Sequence, residues 1–451
     1  MRAQFDSLSG KKFNVVYPGD RKVVVASIPE CNAQDVDDAV DSCFSAFQEF
    51  SQTTARQRSE MLRRLNELTL GNIDDVATLI VRENGKTRAE AVAEVKYAAS
   101  FLAWFSNMAE VGAQGETIAA ANPNMRAHTI RQPIGVVACL LPWNLPQAMA
   151  TRKIAPALAT GCTCIVKPAG ATRLFTLAFA ELVKRAGYAD GCVNVVTALG
   201  NVAQVGKAIC EHRLVRKVSL TGSTRVGKLI HGTRRQLALV VVMNDADLEN
   251  ARTGVLLAKL RTPRQTCVAA NRILVQSRIH DTFVQALKQK FKDLQARPWS
   301  RRLCTVGSID QRPRRAKLEY GGEPDSARAE TGAFFYPPTI LTRRTDDMLI
   351  CPQESFGPVA SIRRFETEHK AIEIANTSDA GLGAYLFTNH LRLAARMSSA
   401  IETRMVGINT AMLSASESAL GGIRHSGFGK QASIHGMAEY QIMKTITTDI
   451  S

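Results

Sequence analysis

Between Ile134 and Gly222 the chain alternates apolar runs with helical stretches, and each run stops at a turn residue. Ile134 to Leu141 reads as a strand that ends in Pro142-Trp143-Asn144-Leu145-Pro146. Met149 to Ala159 is an Ala-rich helix closed by Thr160-Gly161, and Cys162 to Val166 is a second strand stopping at Lys167-Pro168. Phe175 to Ala186 predicts a helix, Val193 to Thr197 a strand, Val202 to Cys210 a helix and Lys217 to Leu220 a fourth strand, after which Gly222 opens another helix. This alternation builds a parallel sheet covered on both faces, because each parallel strand needs a crossover helix. Ligands of such sheets bind beyond the carboxyl ends of the strands. Trp143, Lys167, Gly200 and Gly222 all stand at those ends.

The flanking regions follow other patterns. Residues 34–110 read as helical: Val36, Val40, Phe44 and Phe47 recur on one face, and Thr87 to Glu110 is rich in Ala, Glu and Lys. Glu83-Asn84-Gly85-Lys86 is a helix stop. A second alternating segment, Asp247 to about Gly422, contains a helix before Cys267, a strand at Ile273 to Gln276 and strands near Val359 and Tyr385. Met443 to Asp449 has the β-branched character of an exposed strand in need of a partner.

Composition excludes several classes. The chain has 451 residues, 45% hydrophobic and 22% charged, which is enough for two domains with large cores. No window approaches the about 18 uninterrupted apolar residues of a membrane span, so no membrane partner is expected. The N-terminus lacks the apolar core of a secretory signal. Ten cysteines are scattered without a framework. Cys162 and Cys164 lack partners at ligand spacing, so no metal is expected, and reduced, mostly buried thiols in a cytoplasmic compartment are, with a mitochondrial presequence left open. The net charge of +16 is spread along the chain, without aromatics among its short runs. This argues against nucleic acid and for a solvated basic surface that draws in an anionic substrate or cofactor.

Each chemical signal is weak alone. A lone cysteine is more often a small buried hydrophobe than a nucleophile, Gly222 and Gly227 could mark nothing more than a tight turn, and Asn144 between prolines is by default a turn residue. Their joint order changes the reading. Pro142-Trp143-Asn144, Lys167-Pro168-Ala169, Thr221-Gly222-Ser223-Thr224, Gln265-Thr266-Cys267, Glu354-Ser355-Phe356-Gly357-Pro358 and Gly421-Gly422 occur in sequence. On these six motifs the chain, from about residue 14 to 449, resembles the aldehyde dehydrogenase superfamily, and within it the succinate-semialdehyde dehydrogenases. The resemblance implies an α/β fold: a Rossmann-like dinucleotide-binding domain, a second α/β catalytic domain and a small β oligomerisation element. The expected divisions are 1–245 for the NAD(P)-binding domain (with an oligomerisation hairpin at 111–131), 246–425 for the catalytic domain, and 426–451 for a C-terminal return and oligomerisation strand. A homodimer or homotetramer is implied.

The resemblance also implies roles. Cys267 attacks the aldehyde carbon, and the Asn144 amide with the Cys267 N–H holds the oxyanion. NAD or NADP is the cofactor. Its site comprises Pro142, Trp143, Lys167 at the adenine ribose, Gly200, Thr221, Gly222, Ser223 and Val226 by the pyrophosphate, Glu354 at the nicotinamide ribose and Phe356 beside the ring. Arg152, Arg261 and Ser414 match the residues that grip a remote substrate carboxylate, for which the planar guanidinium fork is suited. The implied reaction is oxidation of succinic semialdehyde to succinate through a cysteine thioester.

The departures bear on rate and cofactor. The family's Glu-Leu-Gly-Gly motif, whose Glu activates the hydrolytic water, is missing. His231-Gly232-Thr233-Arg234-Arg235-Gln236-Leu237 runs straight into Ala238, about ten residues short, a strand's length or more. Arg264 replaces a Gly beside Gln265, and Leu420 replaces the Phe usual before Gly421-Gly422. Gly170 stands where NAD-preferring relatives often carry Glu. Two alternatives stay open: a catalytically inactive relative of the same fold, and a dehydrogenase that passes its acyl group to coenzyme A.

Overall fold

The computed structural model describes residues 7–223, 226–227, 238–260, 265–295, 316–322, 336–344, 348, 350 and 354–451. An N-terminal antiparallel hairpin, β1 (Lys12–Val16) and β2 (Val24–Pro29), leads into four helices: α1 (Ala33–Phe50), α2 (Ala55–Gly71), α3 (Ile73–Asn84) and α4 (Arg88–Val111). Three of these start at reciprocal caps, Asn32 with Asp35, Thr54 with Gln57 and Thr87 with Glu90. Helix α3 stops where the sequence places its end: Gly85 adopts a left-handed conformation (φ 74°) and closes the last turn.

Two short strands follow, β3 (Thr117–Ile118) and β4 (Met125–Pro133). The alternating segment then folds as β5 (Val136–Leu140), α5 (Pro146–Thr160), β6 (Thr163–Lys167), α6 (Leu174–Arg185), β7 (Val193–Val195), α7 (Val202–Glu211) and β8 (Val215–Leu220). Its four strands form one parallel sheet in the order β7-β6-β5-β8. Every residue of β5 and β6 is buried, so these strands read as unbroken apolar runs rather than as alternation. Helix α5 is buried on all sides. A helix that is mostly apolar all round belongs inside a domain, and its few polar residues therefore point into something specific.

The second unit contains β9 (Ala238–Val242), α8 (Leu248–Leu260), β10 (Ala270–Gln276), α9 (His280–Gln295), β11 (Lys317–Tyr320), β12 (Thr339–Thr342) and β13 (Val359–Phe365). It continues with α10 (Glu368–Asn376), β14 (Ala380–Gly381), β15 (Gly383–Phe387), α11 (Leu391–Ala400) and β16 (Met405–Ile408). Its seven-stranded sheet has the order β11-β12-β13-β10-β9-β15-β16. Strand β9 lies in the middle of this sheet, parallel to both β10 and β15. The expected division at 245 is therefore corrected: the first unit ends before Ala238.

The chain then pairs β17 (Ile423–Arg424) with β14, and a short helix, Ser433–Met437, returns it to the first unit, where Met437 and Tyr440 join the core around α4 and α5. The last strand, β18 (Gln441–Asp449), pairs antiparallel with β4 along its whole length. The exposed strand anticipated at Met443 to Asp449 thus finds its partner within its own chain.

Candidate active site

The loop after β5 meets the segment that precedes β10, and the candidate nucleophile and amide come together there. Asn144 follows β5 in the loop Leu141–Leu145, and that loop is held from below by the end of α3. Asn84 Nδ2 donates to the Trp143 carbonyl at 2.7 Å, and Lys86 Nζ donates to the Asn144 carbonyl at 2.7 Å. Lys86 is also paired with Glu94 of α4, both side chains fully buried. Glu94 in turn accepts from the Gln147 N–H at 3.0 Å and, at 3.4 Å, from the Ala148 N–H, in the first turn of α5. A buried pair of this kind stays ordered because further hydrogen bonds hold both partners, the Asn144 carbonyl on Lys86 and the α5 N–H groups on Glu94. The Asn144 amide is thus fixed from its backbone side.

On its other side Asn144 Nδ2 donates to the Gln265 carbonyl at 2.6 Å, across 121 positions of sequence. That bond joins the two units two residues before Cys267. An amide nitrogen carries two hydrogens, and among the described residues the second has no acceptor. Cys267 is partly buried. Burial pushes its thiol above the ordinary value, the nearby Arg152 cation pulls it back and Glu354 pushes it up again. The Cys267 and Val268 N–H groups also favour the thiolate. A cysteine thiol and two kinds of N–H donor converge here, which are the groups that addition to a carbonyl calls on.

Arg152 projects from the buried helix α5. Its Nη2 donates to Ser414 Oγ at 2.7 Å and to the Tyr97 hydroxyl, and Tyr97 and Ser414 share a hydrogen bond of 2.6 Å. The guanidinium stacks 4.6 Å from the Phe101 ring centroid, while its Nε has no partner among the described residues. Arg152 and Ser414 are therefore brought together beside Cys267. Arg261 lies outside the described residues, as do Arg264 and residues 231–237.

The candidate cofactor residues line the ends of the first sheet. Thr221 N–H donates to the Leu140 carbonyl at 3.1 Å, and the Thr221 hydroxyl receives the ammonium of buried Lys153 at 2.7 Å. Ser223 begins a helical turn, its hydroxyl accepting from the Val226 N–H at 3.4 Å and its carbonyl from Gly227 N–H at 2.9 Å. A Cβ at Gly222 would meet only ordinary contacts, with Leu220 at 3.4 Å and Val226 at 3.9 Å. The chain itself does not demand a glycine there, so the open surface above it suits close approach of a ligand. Gly200 starts the turn before α7, where Glu30 accepts its N–H at 3.0 Å. Pro142 and Trp143 follow β5, and the Trp143 ring meets Phe356 edge-on, centroids 6.0 Å apart. Lys167 is buried at the end of β6. An open glycine turn, buried cations and an aromatic pair along these strand ends suit a dinucleotide.

Glu354 is the acidic member of the site. Burial pushes its carboxyl up to about 7, opposed by the Lys259 ammonium. Lys259, on α8, is 1% exposed, its Nζ lacks a hydrogen-bond partner among the described residues, and burial brings it down to about 8. Sequence reasoning missed Lys259 together with Asn84, Lys86, Glu94, Tyr97 and Lys153. Lys86 had a signal, as it follows a predicted helix stop and precedes the motif-bearing strand.

The profile of the aldehyde dehydrogenase family matches residues 5–446. The chain belongs to the aldehyde dehydrogenase family. It is similar to the NADP-dependent succinate-semialdehyde dehydrogenase of Saccharomyces cerevisiae, 37% identical over 96% of this chain and 92% of that protein. It is equally similar to the mitochondrial succinate-semialdehyde dehydrogenase of Arabidopsis thaliana, 37% identical over 98% of this chain and 87% of that one. The solved succinate-semialdehyde dehydrogenase of Burkholderia pseudomallei superposes with a TM-score of 0.93, at 33% identity, covering 98% and 96% of the two chains. As an aldehyde dehydrogenase the protein is an oxidoreductase that uses NAD or NADP.

Proposed function

We propose that this aldehyde dehydrogenase oxidises succinic semialdehyde to succinate through a thioester on Cys267. The observation that carries the substrate is the Arg152–Ser414–Tyr97 cluster: a buried cation with an unmet Nε, beside the candidate nucleophile. A buried guanidinium needs an anion, and a four-carbon aldehyde with a terminal carboxylate supplies one at the far end from the reacting carbon. The names of the two relatives described above agree with that substrate.

In this reading the Cys267 thiolate forms a bond to the aldehyde carbon, and the electron pair moves onto oxygen. The Asn144 amide and the Cys267 N–H hold that oxyanion. NAD(P), when bound, supplies the acceptor for the hydride that leaves the same carbon. The remaining acyl group is a thioester on Cys267, which water cleaves to carboxylate and thiol. Trp143 and Phe356 form the apolar wall, Glu354 accepts hydrogen bonds from ribose hydroxyls, and Gly222 and Ser223 offer their N–H groups to the pyrophosphate.

Replacement of Arg152 by Ala tests the substrate. The KM for succinic semialdehyde should rise by about 10- to 100-fold, the loss of about 1.5–3 kcal/mol of charged hydrogen bonding. The KM for a neutral aldehyde of equal length should hardly move. Equal increases for both would refute the assignment.

The role of Glu354 predicts a pH effect. Its carboxyl, at about 7 without cofactor, accepts hydroxyl hydrogen bonds when ionised. Affinity for NAD(P)H, measured by quenching of protein fluorescence, should fall as pH is lowered through about 7. Glu354→Gln should bind weakly at all pH values. A wild-type titration that stays flat across that range would remove Glu354 from the cofactor site.

The eight described cysteines are all free, which supports a reducing, cytoplasmic-type compartment. Among the described residues no helix is long and apolar enough to cross a membrane. A homodimer or homotetramer is supported by the β18 edge of its sheet, where Ile442 and Met443 are exposed.

A further inference from the structure

The candidate nucleophile sits in a tight turn that is held on both sides. Ala269 N–H donates to the Thr266 carbonyl at 2.9 Å, which makes Cys267 and Val268 the central residues of a turn directly ahead of β10. Asn144 Nδ2 holds the Gln265 carbonyl on the entry side. On the exit side the Tyr385 hydroxyl donates to the Val268 carbonyl at 2.8 Å, across 117 positions of sequence. Tyr385 lies on β15, a strand buried along its whole length, and is itself 1% exposed. In the sheet it pairs with Val240 of β9 on one side and Gly407 of β16 on the other. A buried phenol needs a hydrogen-bond partner, and many acceptors would serve. The acceptor here is the carbonyl of the residue that follows the nucleophile.

The turn passes that bond on. The Val268 carbonyl and the Ala269 N–H belong to one planar peptide unit, and so do the Thr266 carbonyl and the Cys267 N–H. The bonds therefore run in a line. The phenol donates to the Val268 carbonyl, the Ala269 N–H to the Thr266 carbonyl, and the Cys267 N–H stands free to donate last. Each carbonyl that accepts a bond makes the N–H of its own peptide a better donor, by about 10–30% per bond. The last donor in this line is one that the oxyanion calls on.

We propose that Tyr385 is a positioning residue for the first chemical step, orienting and polarising the Cys267 N–H through the Val268 and Thr266 peptides. This rests on the reading of Cys267 as the nucleophile. Tyr385 acts only through backbone groups, so substrate and cofactor binding should be indifferent to it. The thiol senses the same donors. Burial raises it, the Arg152 cation lowers it, Glu354 raises it, and the Val268 and Cys267 N–H groups lower it. A change at Tyr385 alters neither of those charges, so a further rise of the thiol would come from weakened N–H donors.

Tyr385→Phe removes the hydroxyl and keeps the ring. On rapid mixing of the full chain with succinic semialdehyde and NADP, the rate of the first turnover should fall about five- to thirtyfold. That is less than the about 10²–10³-fold lost with an oxyanion donor itself. The aldehyde concentration at half-maximal rate and the affinity for NADPH should change by less than about twofold. Alkylation of Cys267 by iodoacetamide, followed by intact mass, should move to higher pH. A lower melting temperature with both the first turnover and the alkylation profile unchanged would show a merely structural tyrosine and overturn the proposal. A ring-fluorinated tyrosine in place of Tyr385, a stronger donor of nearly the same shape, serves if Tyr385→Phe does not fold. It should quicken the first turnover and move alkylation to lower pH, and the absence of both shifts would overturn the proposal equally. Cys267→Ala is the control: turnover by that variant would remove the nucleophile and this proposal together, whereas its silence beside an unshifted Tyr385→Phe would remove this proposal alone.

Discussion

Cys267→Ala will form no NAD(P)H from any aldehyde, a loss of at least about 10⁴-fold, while NAD(P)H affinity changes by less than about twofold. The size follows from the lack of a substitute. Among the described cysteines, Cys43 is pushed up to about 12 and Cys192 to about 11 by burial, so neither offers a thiolate. Cys210 ends α7 on the flank of the first sheet, also raised by burial. Among the described cysteines, only Cys267 stands next to the Asn144–Gln265 bond with a cation within electrostatic reach. A second readout separates activation from presence. Without cofactor, alkylation of Cys267 by iodoacetamide should be slow at neutral pH and accelerate towards the raised pKa of the thiol. Arg152→Ala should slow it at every pH below that value, because loss of a cation raises the thiol further. Intact mass spectrometry follows both. Turnover near the wild-type rate by Cys267→Ala would sink the mechanism.

The parallel sheet was legible because a strand buried on both faces must be apolar throughout, as Val136–Leu140 and Thr163–Lys167 largely are. Helix ends were legible where glycine is required, at Gly85 (φ 74°) and Gly161 (φ 90°). The division between units was misplaced because Ala238–Val242 is another apolar run, and nothing in such a run says which sheet it joins. Its neighbours β10 and β15 come later in the chain. The nucleophile, the amide and Arg152 could be proposed because their motifs are ordered. The charges that position them could not. Glu94 looks like any acid of an Ala-, Glu- and Lys-rich helix, and Lys259 looks like a solvated lysine of an amphipathic one. Their burial is decided by helices packing from distant parts of the chain, α4 on α5 and α8 against β10. Lys86 and Lys259 differ in turn: one has its carboxylate in contact, the other lacks a hydrogen-bond partner among the described residues.

The first turnover should outrun those that follow. Acylation calls on Cys267 and Asn144, and both are present. Hydrolysis calls on a base to activate water, and the stretch from Gly227 to Ala238 carries no Glu; its residues 228–237 lie outside the described structure. Arg234 and Arg235 cannot serve, since a guanidinium stays protonated. General-base assistance is worth about 10²–10⁴-fold, so the thioester should accumulate. Rapid mixing with succinic semialdehyde and NADP should give a burst near one NADPH per active site, then slow steady release. Raising the pH should speed the slow phase in proportion to hydroxide, which replaces the missing base. Coenzyme A should leave the slow phase unchanged in a hydrolytic enzyme and abolish it in an acyl-transferring one. Linear progress without a burst, at an ordinary rate, would mean that another carboxylate has taken over, and Glu354, held near 7 by burial and within electrostatic reach of Cys267, is the group to replace next. Absence of NADPH even in the first turnover would instead favour a chain that keeps the fold without the reaction.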